Sequence, residues 1–196
     1  LHSTSRRQRQ MCIRDSDVAA NGTIAANSDS SCMFANFSNM KKIDFGSCLD
    51  TTKVTDMSNM FLGCNSLASL NLTSFDTSNV MDMSGMFEGC PSLTKLDLSS
   101  FNTFNVKSMY HMFSGCSNLV SLNLSHFGSP YAADTTGMFN HCYKLKNIIV
   151  FPVKFLSHIT AANSSTTAAR LCHSKPRKLL QIVARHATTN PENLLY

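Results

Sequence analysis

The stretch CNSLASLNLTSFDTSNVMDMSGMFEGC, from Cys64 to Cys90, decides the fold, because the pattern begins again at its own last residue. Its apolar frame is Cys64, Leu67, Leu70, Leu72, Phe75, Val80, Met83, Met86 and Phe87, closed by Cys90. From Cys90 the frame returns as Leu93, Leu96, Leu98, Phe101, Val106, Met109, Met112 and Phe113. From Cys116 it runs through Leu119, Leu122, Leu124, Phe127, Ala132, Thr135, Met138 and Phe139 to Cys142. It opens once more with Leu145, Ile148 and Val150 and then dissolves. Upstream, Phe37, Met40, Ile43, Phe45 and Cys48 fill the Cys, Leu, Leu, Leu and Phe slots, with one extra residue before Val54. Phe61, Phe87, Phe113 and Phe139 therefore recur every 26 residues. Self-similarity at a fixed period of this length is the signature of a repeat array.

Each unit holds two periods. Leu70-Asn71-Leu72 alternates as a short half-buried strand does. Val80, Met83, Met86/Phe87 and Cys90 follow the spacing of one helix face, with Asp76-Thr77-Ser78-Asn79 offering N-cap side chains before it. Gly63, Gly89 and Gly115 fall where such a helix would end. A lone unit buries too little to fold, so neighbours must stack. The expectation is an α/β solenoid: a leucine-rich-repeat-like stack of 26-residue strand–turn–short-helix units with a small parallel sheet.

Three segments follow. Residues 1–31 share no repeat slot, and Arg7 to Ser16 is similar to translated adapter read-through, so this part is read as disordered or artefactual. Residues 32–153 form the array, three full and two partial units. Residues 154–196 read as a basic, largely irregular tail. The chain opens on Leu1 and reads as a fragment with no visible secretion signal. Its longest apolar run, Ile148 to Val153, is too short to span a bilayer.

Charge argues against nucleic acid. The net +5 divides into four Arg against three Asp in residues 1–32 and seven Lys against eight acids in 33–150. Residues 151–196 carry six Lys or Arg against Glu192. The basicity lies outside the array, where a nucleic-acid-binding face would need it. Lys175-Pro176-Arg177-Lys178 reads as a solvated basic run. Asn21, Asn36, Asn71, Asn123 and Asn163 head N-x-S/T sequons that the Asn, Ser and Thr content explains by chance.

The segments Ser69 to Val80 and Met83-Ser84-Gly85-Met86-Phe87 resemble the BspA-like leucine-rich-repeat surface proteins. They are also similar to the related repeat of mycoplasma-type surface lipoproteins. The resemblance covers about Cys32 to Val150. It implies an exported surface protein engaged in adhesion or matrix contact, a binding scaffold without catalytic residues. The last unit departs at Gly128-Ser129-Pro130, Ala132 and Thr135.

Candidate chemistry is thin. The in-register cysteines lie 26 residues apart at inward slots, and Phe37 fills the same slot upstream. Buried free thiols acting as small hydrophobes are expected, with disulfide pairing or a metal as weaker readings. The Met and Phe ladders are core. His111, His126 and His141 share no slot with one another, and no nucleophile elbow, P-loop or G-x-G-x-x-G occurs. No enzyme activity, cofactor or metal is expected. Hydrolytic or redox use of His or Cys would require low-pKa thiols at Cys90 or Cys116.

Binding is better supported. If Leu70 and Leu72 point inward, Ser69, Asn71 and Thr73 point out, and later units place Lys95, Asp97 and Ser99, then Ser121, Asn123 and Ser125, beside them. Phe104 and Tyr110-His111 are expected as exposed aromatic contacts elsewhere. The sequence thus reads as a non-enzymatic module at the cell surface or secreted, recognising an extracellular protein or glycan. The alternative is a spacer within a larger surface protein.

Overall fold

The computed structural model describes residues 24–129 and 133–150. The readings made for residues 1–23 and 151–196, together with Ala132, lie outside the described residues. Six short strands appear: β1 (Ile24–Ala25), β2 (Lys42–Asp44), β3 (Leu49–Asp50), β4 (Ser69–Asn71), β5 (Ser121–Leu124) and β6 (Asn147–Val150). They pair in parallel as three separate two-stranded sheets, β1–β3, β2–β4 and β5–β6. Successive turn segments align one repeat apart through single bridges joining Asp29, Asp56, Asp82, Ser108 and Asp134 in order. We number the layers by these segments: 29–36, 56–63, 82–89, 108–115 and 134–141.

The expected α/β solenoid with short helices is not what the chain forms. Among the described residues there is no helix, and the strand pairs neither merge into one sheet nor close a solenoid. The reason lies in the backbone donors. Met57, Asn59, Phe61 and Gly63 give their N–H groups to the carbonyls of Asp82, Ser84, Met86 and Glu88 in the next layer, at 2.7–2.9 Å. Met83, Gly85, Phe87 and Gly89 do the same toward Ser108, Tyr110, Met112 and Ser114. An amide committed sideways cannot close an i→i−4 helical bond.

Within a layer the remaining amides close tight turns. Met60 N–H bonds to Met57 O, Leu62 to Asn59 and Cys64 to Phe61. The third residues of the first and last of these turns, Asn59 and Gly63, have φ of +55° and +68°, as type II turns require. The same two columns recur as Gly85 and Gly89, His111 and Gly115, and Gly137 and His141. A run of overlapping four-residue turns, each closed three residues back, thus reproduces the apolar spacing that a helix face would show.

At Gly115 a second constraint is added, because a Cβ there would sit 3.2 Å from the Gly89 amide nitrogen below. The stacked turns leave room only for backbone.

The apolar slots line up inside. Phe34, Phe61, Phe87, Phe113 and Phe139 form one column, with successive centroids 5.4–5.6 Å apart and planes within 10°. Met, Leu and Val columns flank it, nearly all fully buried. Beside it, the thiols of Cys64, Cys90, Cys116 and Cys142 donate to the carbonyls of Phe34, Phe61, Phe87 and Phe113 at 3.0–3.2 Å. In the first unit the extra residue shifts burial by one place: Cys48, expected in the Phe slot, is half-buried, while Leu49 takes the interior.

A buried threonine column replaces strand pairing at another corner. Thr77 Oγ1 donates to Asn102 O at 2.9 Å and accepts Asn102 N–H at 2.8 Å. Thr51 makes the same reciprocal pair with Asp76. Thr77→Val keeps the shape and strips both bonds, so it is expected to destabilise by about 1–3 kcal/mol in urea unfolding. Thr77→Ser, which keeps the hydroxyl and loses one methyl, should lose less than about 1 kcal/mol.

Candidate functional site

The nine outward positions fall on two patches of sheet joined by a layer without a strand. Ser69 and Asn71 lie on β4, beside Lys42 and Asp44 of β2. Ser121 and Asn123 lie on β5, beside Asn147 and Ile149 of β6. Lys95 and Asp97 sit between them on irregular backbone, and Thr73, Ser99 and Ser125 begin the following turns. Ser69, Thr73, Lys95, Asp97, Ser99, Ser121 and Asn123 are exposed, while Asn71 and Ser125 are half-buried. The inward partners Leu72, Leu96, Leu98, Leu122 and Leu124 are buried, as the alternation requires, while Leu70 is half-buried.

Five of the nine side chains already take part in turn contacts, Asn71, Asp97 and Asn123 as acceptors and the Thr73 and Ser99 hydroxyls as donors. Asn71 Oδ1 accepts Thr73 N–H at 3.1 Å and its hydroxyl at 2.8 Å, while its Nδ2 donates to Asp44 Oδ1 at 3.0 Å. Asp97 and Asn123 accept the N–H groups of Ser99 and Ser125, both at 3.0 Å. The Ser99 backbone and side-chain hydrogen bonds hold the Asp97 carboxyl below its ordinary range. These are turn-forming contacts. Ser69, Thr73, Lys95, Ser99 and Ser121 carry the exposed hydroxyl and ammonium groups of the face.

A second polar–aromatic region lies on the turn segments. Tyr110 and His111 stack with centroids 4.1 Å apart and planes 6° from parallel. His111 Nδ1 lies 3.5 Å from Glu88 Oε1 in the layer before. One layer on, His141 Nδ1 meets the Tyr143 hydroxyl at 2.7 Å. Phe104 and Tyr110 are exposed, as expected, whereas His111 is half-buried, and among the described residues Tyr143 is the most exposed large apolar side chain at 70%. Sequence reasoning passed over Glu88 and Tyr143, since both stand at slots the repeat frame leaves unconstrained.

Of the buried thiols, Cys64 is held below the ordinary value by its hydrogen bond with Cys90, while Cys90, Cys116 and Cys142 are held above it. Cys90 is held up by its hydrogen bond to Cys64 and by burial. Cys116 is held up by burial and then by the neighbouring Cys142, which burial itself pushes up to about 12. All six described cysteines are unpaired thiols, and among the described residues no group of three His, Cys, Asp or Glu could hold a metal ion. No helix of the described residues is long and apolar enough to cross a membrane.

A family model described as "Mycoplasma protein of unknown function, DUF285" matches residues 28–150. That span coincides with the stacked layers. Comparison with curated proteins and with solved structures gave no match.

Proposed function

We propose, for a chain that belongs to this DUF285 family, a non-enzymatic recognition module displayed at the cell surface or secreted. Its outward strand face takes an extracellular protein or glycan. The reading is supported by the row of exposed groups that successive layers hold at fixed spacing: Ser69 and Thr73, Lys95 and Ser99, then Ser121. These groups stand on a backbone already fixed by turns and layer contacts, so an extended ligand meets several of them with little ordering entropy. The likeness to BspA-like surface repeats points the same way. The alternative is a spacer that holds another domain away from a surface without a ligand of its own.

The test is binding of the whole chain to immobilised matrix proteins and glycans. The combined variant Ser69→Ala, Lys95→Ala, Ser99→Ala and Ser121→Ala is expected to weaken capture by roughly tenfold or more while unfolding like the parent. Capture unchanged by these substitutions removes this face from the reading. A folded chain that captures nothing favours the spacer.

A further inference from the structure

His111 occupies a costly position. Its φ of +56° lies in the left-handed region, and the same slot holds glycine in the layers on both sides, Gly85 and Gly137. A side chain kept where the backbone favours none calls for a local reason. The surroundings supply it. The ring covers Gly137, where any Cβ would collide with its Cδ2 and Nε2 atoms. Tyr110 lies flat against it, and the backbone is fixed by His111 N–H to Thr136 O at 3.0 Å. Two of the charged groups its neighbours bring are carboxylates. Glu88 in the third layer stands 3.5 Å from Nδ1, with both side chains half-buried. Asp134 in the fifth layer has its carboxyl held low by the Thr136 hydroxyl and amide and, further, by the charge of His111.

We propose that His111 is a pH-responsive clasp that ties the third, fourth and fifth layers together when its imidazole carries a proton. The neutral ring bears hydrogen on one nitrogen only, and where that is Nδ1 it already donates to Glu88 Oε1, so proton uptake adds positive charge to a contact the geometry has set. A proton taken from solvent puts hydrogen on both nitrogens. Nδ1–H then donates to Glu88 Oε1, and the ring's positive charge faces that carboxylate while the His111 backbone stays bonded to Thr136 in the fifth layer. Histidine is the side chain suited to making this change in mildly acidic surroundings. The clasp thus stiffens the C-terminal layers, and the seat of Tyr110, as pH falls.

The test is denaturant unfolding of the full chain, as parent, His111→Gln, Glu88→Gln and the double variant, at pH 5.5 and pH 8.0. The double-mutant cycle is expected to give a coupling of about two- to fivefold in the unfolding constant at pH 5.5, and a clearly smaller one at pH 8.0. His111→Gly, which restores the residue of the adjacent layers, is expected to match or exceed the parent in stability at pH 8.0 and to fall behind it at pH 5.5. Coupling of equal size at both pH values, or its absence at pH 5.5, overturns the clasp. So does a His111→Gly chain that tracks the parent across the interval.

Discussion

Replacing Phe87 by alanine is expected to destabilise the chain by about 3–5 kcal/mol, enough to consume much of the stability of a domain this size. Phe87 is fully buried and sits at the centre of its column, 5.6 Å from Phe61 on one side and 5.6 Å from Phe113 on the other. Truncation removes both ring contacts and leaves a void that neighbours cannot fill. Each layer is pinned by amide bonds to the ones above and below, and Phe87 itself donates to Met112. Because layers touch only their neighbours, the damage falls on the two interfaces of layer three. Urea unfolding should show a lower midpoint and a broader transition, as the layers on either side lose their coupling. Phe104→Ala is the control: with 56% of its surface in water, its removal should change stability by no more than about 0.5 kcal/mol. A Phe87→Ala chain within 1 kcal/mol of the parent would mean that the column does not carry the stack.

The columns were legible because burial is written into sequence as periodicity. Every inward slot of the frame from Cys64 to Cys142 for which burial is described is buried, apart from Leu70, whatever the backbone does between slots. The backbone itself was not legible from those slots, since a helix face and a train of type II turns both place apolar residues three or four apart. The discriminating signal sat at the polar positions. Asn59, Gly85, His111 and Gly137 stand in the middle of the supposed helix, and three of the four are residues that accept positive φ with little or modest strain. Where each amide bonds is a long-range fact, decided by the adjoining layer, and no single unit encodes it. The outward strand face was readable as exposed by the alternation rule. That Asn71, Asp97 and Asn123 hold turns was also within reach, because Asn or Asp two residues before Ser or Thr is the Asx-turn pattern. Tyr143 and Glu88 were beyond it, being departures at positions where the repeat demands nothing.

Alkaline unfolding is the other large effect. The thiols of Cys90, Cys116 and Cys142 are buried in the folded chain and ionise there far less readily than the ordinary value of 9.0 allows, with Cys142 pushed up to about 12. Below pH 9 both folded and unfolded chains keep these three protons, and these thiols add no dependence on pH. Above it the unfolded chain releases them while the folded chain retains them, so the unfolded state binds fewer protons and stability falls as pH rises. Each thiol removes about 1.4 kcal/mol per pH unit in that window, and three together about 4 kcal/mol per unit. The loss from Cys142 ends near its folded value of about 12. Urea midpoints should be flat from pH 7 to 8.5 and then drop steeply, with the chain unfolding between about pH 10 and 11. Cys116→Ala starts from a lower midpoint, having lost its bond to Phe87 O, but its slope above pH 9 should be about one third shallower. A midpoint that holds steady to pH 10.5 would show that the thiols ionise in place, which their seats against the phenylalanine carbonyls do not permit.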